Sequence, residues 1–206
     1  NHIGPFLMNY TTKKEKYFQN AEKANQVFKK IFSNVENPVN KIKTTISKIF
    51  PDYKISGIRE NQRNYALCTI RRHENGKSIP LHKDNVSYEG VEYEVSKINT
   101  QLSCILHLQE TEKGGNLSIY NKRWKKKLEK YREIEFGYNS NIKKKSLSDT
   151  IETKLGDLVI INPNYLHEVK EIQGISDRVT LGMFFGIENK TKKIFFWAWY
   201  PSKYSK

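Results

Sequence analysis

Residues 156–186 read GDLVIINPNYLHEVKEIQGISDRVTLGMFFG. Three short apolar runs, DLVIIN, LHEVKEI and RVTLGMFFG, are punctuated by Asn162-Pro163-Asn164 and by Gln173-Gly174. Each run has the length of a strand, and the Pro and Gly between them forbid one continuous helix. The same rhythm continues outward in both directions. Upstream stand YALCTI, SIPLHKD, QLSCILHL, NLSIY and TIETKL, and downstream stands IFFWAWY. Glu74-Asn75-Gly76, Lys113-Gly114-Gly115 and Gly156-Asp157 supply further turns. Many short strands joined by Gly, Pro and Asn turns predict a mainly β fold of the sandwich or barrel type. A jelly roll backed by helices fits best.

The backing helices come first in the chain. In residues 13–32, Tyr17, Phe18, Ala21, Ala24, Val27, Phe28, Ile31 and Phe32 recur at steps of three and four, with Lys on the opposite face. That spacing predicts an amphipathic helix. A second helix is expected from Pro38 to Phe50, with Val39, Ile42, Ile46 and Ile49 as its stripe and Pro51 as its stop. Residues 1–206 therefore read as one domain: helical support over about 13–50 and a jelly-roll core over about 64–200. The stretch from about 121 to 148 breaks the strand rhythm and reads as a surface insertion over the core.

Composition narrows the function classes. Lys and Arg number 36 against 22 Asp and Glu, a formal charge of +14, which points first to nucleic acid. However, 29 of the cations are Lys, and residues 1–103 and 104–206 carry +7 each. An even Lys excess is a solvated surface, not a binding arm. No apolar run is long enough to span a bilayer, and the first residues, NHIGPFLMNYTTKK, lack the charged-then-apolar layout expected of a secretory signal. Cys68 and Cys104 lie in apolar runs without a CxxC pattern, as buried thiols do in a reducing cytoplasm. The expectation is a cytoplasmic protein acting on a small molecule, without nucleic acid or membrane as partner.

The chemistry gathers at a few positions. In an extended segment His82 and Asp84 point the same way while Lys83 points the other. An imidazole and a carboxylate so placed can take adjacent positions on a metal. After the strand and turn ending at Asn164, His167 brings a second imidazole back to the sheet. Two His and one carboxylate on one side of an ion form the facial triad of non-haem iron(II) oxygenases. Such a site carries a net charge of about +1 and leaves three positions open for a chelating anion and oxygen. Arg178 follows His167 by eleven residues in an apolar strand, and a buried guanidinium demands an anion. Thr180 faces the same side. Each piece alone has an ordinary reading: a surface ion pair for His82 and Asp84, a loop position for His167, and a bridge to Asp177 or Glu168 for Arg178. The ordered set outweighs them. His107 reads as a strand histidine with a local partner and not as a fourth ligand.

The set Glu74-Asn75-Gly76, His82-x-Asp84, Lys113-Gly114-Gly115-Asn116-Leu117, Gly156-Asp157, His167 and Arg178-x-Thr180 resembles the 2-oxoglutarate-dependent iron(II) oxygenases. The prolyl-hydroxylase-like branch is the nearest. The resemblance covers residues 64–187 in order and implies a double-stranded β-helix, the cupin-like form of the jelly roll. It implies His82, Asp84 and His167 on Fe(II), and Arg178 with Thr180 on the distal carboxylate of 2-oxoglutarate. Three positions depart from the branch: Thr180 where Ser is common, Asn116 where Glu is common, and His73 where Tyr is common. Related carrier-independent halogenases have Gly or Ala where Asp84 stands, which frees a metal position for chloride. Asp84 therefore favours hydroxylation.

The implied reaction consumes 2-oxoglutarate and O2, releases succinate and carbon dioxide, and hydroxylates an unactivated C–H bond. The small size is similar to that of bacterial hydroxylases and halogenases acting on free amino acids. Arg72, His73, Asn85 and Trp199 are the candidates for substrate contact. Trp197 and Trp199 share a strand face that reads first as core packing. The alternatives are a hydroxylase or demethylase of a protein residue or nucleic acid, and a jelly-roll protein that binds a small molecule without turning it over.

Overall fold

The computed structural model describes residues 1–134 and 136–198, with every side chain among them except that of Met8. Trp199 lies outside the described residues. Two long helices precede most of the strands: α1 (Lys14–Ile31) and α2 (Pro38–Ile49). The strands are β1 (His2–Ile3), β2 (Lys54–Gly57), β3 (Arg59–Glu60), β4 (Arg63–Asn64), β5 (Thr69–His73), β6 (Ile79–His82) and β7 (Thr100–Gln109). They continue with β8 (Lys113–Gly114), β9 (Leu117–Arg123), β10 (Ser148–Ile151), β11 (Leu158–Ile161) and β12 (Tyr165–Val169). The last are β13 (Ile172–Gln173), β14 (Arg178–Glu188) and β15 (Lys193–Trp197). A single turn of helix, α3 (Val86–Glu89), follows β6.

Both long helices form where the apolar spacing predicts. In α2, Pro38 occupies the first turn and the Asn37 side chain accepts from Val39 N at 2.9 Å, a standard N-cap. The buried faces are narrower than the spacing suggests. Tyr17, Phe18, Ala21, Ala24 and Phe28 are buried in α1, but Val27 and Ile31 are exposed, as is Ile49 in α2. A helix lying on a flat sheet covers only the centre of its stripe.

Two largely antiparallel sheets make up the body. In the large sheet β14 is central, with β7 along one edge and β11 beyond it. Its other edge is shared: β5 pairs with Arg178–Gly182, and β15 pairs with Phe184–Glu188. The small sheet runs β10-β9-β12-β6, all antiparallel. Two partners escaped the pattern reading. β1 pairs with β5, and β2 adds in parallel to β15, although KISG carries almost no strand signature.

Alternation along the strands of the large sheet separates two environments. Leu181, Met183, Phe185, Cys104 and Leu106 turn outward to Phe28, Val39, Ile42 and Ile46 of the helices. Cys68 and Cys104 lie in that layer as free thiols, each pushed up to about 12 by burial. Facing the small sheet, Ile161 and Val159 of β11 pack with Ile79, Leu117 and Val169.

The stretch expected as a surface insertion over 121–148 is a structural part of the body. Its first residues complete β9, and its last residue opens β10. Between them Leu128, Tyr138 and Ile142 pack on Leu81, Tyr120 and Leu166 of the small sheet. Phe136 enters the layer between the sheets. Lys125, Lys126 and Lys127 stay exposed. Lys density hid the apolar residues spaced among them.

Candidate active site

The small sheet assembles one wall of a cavity between the sheets. His82 closes β6 and His167 lies in β12, directly opposite in register. Their ring centroids are 4.1 Å apart. Asp84, two residues beyond β6, turns back to put Oδ2 3.6 Å from His167 Nε2. One donor atom from each of His82, Asp84 and His167 falls within a 4.8 Å span, and all three residues are buried. Lys83 points the opposite way, as alternation requires.

The ring orientations are fixed by the backbone. His82 Nδ1 is 2.8 Å from Pro80 O, and His167 Nδ1 is 2.8 Å from Tyr165 O. A carbonyl can only accept, so each Nδ1 carries the hydrogen and each Nε2 keeps its lone pair for the cavity. Burial, and then the neighbouring His167, hold His82 down at about 3, so its ring stays neutral. Burial alone would raise the Asp84 carboxyl, but the two imidazoles and the Lys83 ammonium beside it hold it below the ordinary value. Its Oδ1 has no hydrogen-bond partner among the described residues. Two imidazoles that turn Nε2 inward and an ionised carboxylate, converging on one point, are a donor set that fits iron(II).

The segment after Asp84 is braced. Asp84 N donates to Pro163 O at 2.9 Å, joining the loop after β6 to the turn before β12. Asn85, a substrate candidate from sequence, is instead the N-cap of α3: its Oδ1 accepts from Tyr88 N, and its Nδ2 donates to Asn164 Oδ1. Its amide is consumed in holding the turn.

The large sheet supplies the opposite wall. Arg178, Thr180 and Gly182 share the inward face of β14, and Arg178 and Gly182 line the cavity with His82, Asp84 and His167. Thr180 is fully buried, and its Oγ1 has no hydrogen-bond partner among the described residues. Gly115, at φ +69°, passes beneath Arg178: a Cβ there would stand 3.0 Å from Arg178 Cδ. Gly115 thus leaves the Arg178 side chain its room, while Gly114 makes the close approach to Glu171 O.

Arg71 was named in no ligand role by the motif, yet it is the second guanidinium of this cavity. It is buried on β5, next to β14, and lies across Gly182: a Cβ on that glycine would stand 2.5 Å from Arg71 Nη2. The signal available in sequence was alternation, which puts Arg71 and His73 on one face and Arg72 on the other. Arg72 accordingly leaves the cavity. Its half-exposed side chain pairs with Asp177 at 2.5 Å. His73 is opposite Arg178 in register and is held at about 3 by burial and by the charges of Arg71 and Arg178. His107 pairs with Glu110, the local partner expected of it.

A His/Asp/His donor set facing a buried arginine across one cavity is the arrangement of a 2-oxoglutarate/iron(II)-dependent oxygenase. Residues 1–198 match the family model described as carrier-protein-independent halogenase WelO5, and the chain belongs to that family. Its cofactor is Fe(II), and its co-substrates are 2-oxoglutarate and O2. Leucinostatins biosynthesis cluster protein S of Purpureocillium lilacinum is 27% identical over 181 residues, 84% of this chain and 73% of that protein. Two solved structures of an N-substituted L-amino acid dioxygenase from Burkholderia ambifaria AMMD are similar in fold. The one in complex with alpha-KG has a TM-score of 0.66 and the other 0.67. Both are 18% identical and cover 93% of this chain and 76% of theirs. Among the described residues no helix is long and apolar enough to cross a membrane.

Proposed function

We propose that this protein hydroxylates an unactivated C–H bond of a small carboxylic acid, with a free or N-substituted amino acid as the substrate class. The observation that carries the reading is Asp84 in the donor set, buried and turned into the cavity beside both imidazoles. On this reading residues 1–206 act as one domain whose two sheets form a double-stranded β-helix around the site, working in the cytoplasm. His82, Asp84 and His167 hold the iron.

Bound iron and 2-oxoglutarate supply the oxidising power: the oxo acid loses carbon dioxide to become succinate, and one oxygen atom of O2 enters the C–H bond. The chain's own residues bind and orient. Arg178 takes the distal carboxylate of 2-oxoglutarate in a charge-assisted pair, and the Thr180 hydroxyl donates to the same group. Arg71, on the neighbouring strand, adds positive potential that draws carboxylates inward. Ile79, Ile105, Leu117 and Phe184 keep water from the cavity. The dioxygenase of similar fold acts, by its description, on N-substituted L-amino acids, and this supports the substrate class.

The family match supports a second reading, halogenation. It requires a metal position for chloride, and Asp84 occupies the position that the halogenases leave open. Modification of a protein or nucleic acid finds no comparable support, since the Lys excess is dispersed. The test is anaerobic reconstitution with iron(II) and 2-oxoglutarate, then air and a panel of free and N-substituted amino acids, with and without chloride. Succinate release coupled to a product gaining one oxygen is expected. A chlorinated product in the chloride arm favours the second reading, and turnover confined to peptides or nucleic acid overturns both.

A further inference from the structure

Lys83 stands between two of the proposed iron ligands, and its side chain is 0% exposed. Its ammonium pairs with Glu89 of α3 and lies 5.1 Å from the Tyr88 ring centroid and 4.8 Å from that of Trp124. Glu89, only 7% exposed, also accepts from Arg132 Nη2 at 2.9 Å. Arg132 reaches on to Glu129 at 2.9 Å. Glu129 in turn accepts from the Trp124 indole at 2.6 Å and from the Tyr138 hydroxyl. A continuous chain of charges therefore runs from the ligand segment, through α3, into residues 124–138.

Burying an ammonium is expensive, and an apolar side chain of the same length would pack there at lower cost. What charges add is directional constraint. Two further contacts show what is being constrained. Tyr138 N donates to Leu81 O at 2.8 Å, beside His82, and the Phe136 ring meets the His82 ring edge-on at 5.6 Å. On the far side, Trp124 N donates to Asn164 O at 2.7 Å, in the turn that leads to His167. The 124–142 segment thus touches both ligand-bearing loops, and Lys83 is its buried link to the first.

Resting on the ligand assignment above, we propose that Lys83 is a positioning residue. Through Glu89 and Arg132 it locks the 124–142 segment onto the small sheet and so holds His82 and Asp84 at their metal-binding separation. Docking of that segment and metal uptake are then one linked equilibrium.

The experiment uses the full chain, titrated anaerobically with iron(II) alone, with calorimetry and hydrogen exchange as readouts. Lys83→Met should weaken iron affinity by roughly tenfold, while Lys127→Met, on the exposed run, leaves it unchanged. Iron should slow amide exchange across residues 124–142 in the wild type and not in Lys83→Met. Arg132→Met cuts the same chain at its middle link and should reproduce the loss. The double variant should lose no more than the larger single, because both act through one network. If Lys83→Met does not fold, Arg132→Met carries the test. A lowered melting temperature with unchanged iron affinity, exchange in 124–142 indifferent to iron, or additive losses would overturn the proposal. Wild-type protein that takes up no iron would overturn the ligand assignment itself, so the two failures are distinguishable.

Discussion

The small sheet brings His82, Asp84 and His167 within a 4.8 Å span, while the large sheet brings Arg71 and Arg178 to the same cavity from two neighbouring strands. The two walls use burial differently. On the donor wall, burial holds His82 at about 3 and keeps its ring neutral, the form in which an imidazole can ligate. On the cationic wall, burial cannot neutralise a guanidinium, so the same desolvation only sharpens its demand for an anion. A donor wall and a cationic wall are therefore built from one physical condition acting on side chains of different proton affinity.

The largest break in that comparison is expected on the donor wall. Asp84→Ala should remove substrate-coupled succinate release altogether, measured on protein whose circular dichroism is unchanged. Retained turnover would show that the donor wall is not the metal site. On the cationic wall, Arg178→Met should raise KM for 2-oxoglutarate on the order of a hundredfold, about 3 kcal/mol. Iron affinity measured without 2-oxoglutarate should barely change, which separates the two walls.

A smaller effect tests the cost of keeping a neutral imidazole among the arginines. His73 is held at about 3, chiefly by burial and then by Arg71 and Arg178. Its folded value lies below the ordinary 6.5, so as pH falls below 6.5 the unfolded chain takes up a proton that the folded chain refuses. Stability is therefore full above 6.5 and is lost toward 3, by up to about 1 kcal/mol per pH unit. Urea midpoints at pH 7 and pH 5 should draw together in His73→Asn. The smallest effect is expected outside both walls: Arg72→Ala removes an exposed pair and should leave the urea midpoint and KM unchanged.

How much of this was legible follows from the range of the signals. Period-two alternation is local, and it placed His82, Asp84, Arg178 and Thr180 on their faces and Lys83 on the other. The same rule, applied to Thr69–His73, separates Arg71 from Arg72, which motif reading alone did not do. Asn85, a substrate candidate from sequence, is the N-cap of α3, and capping depends on where a four-residue helix begins. Residues 121–148 looked solvated because Lys dominates their composition, while Leu128, Phe136, Tyr138 and Ile142 carry the packing.

The sequence by itself determined the strand rhythm, the two helices and the inward faces of the ligand-bearing strands, because each rests on spacing along a single segment. Only the tertiary structure decided which strands meet. The pairing of His167 with His82 across β12 and β6, the sharing of one edge of β14 by β5 and β15, and the passage of Arg71 over Gly182 all join residues far apart in the chain. They depend on hydrogen-bond register and on space between side chains, which no local pattern encodes. The charge chain through Lys83 is of the same kind. A buried ammonium is tolerable only where Glu89, Arg132 and two aromatic rings arrive together, and that arrival is a property of the folded chain.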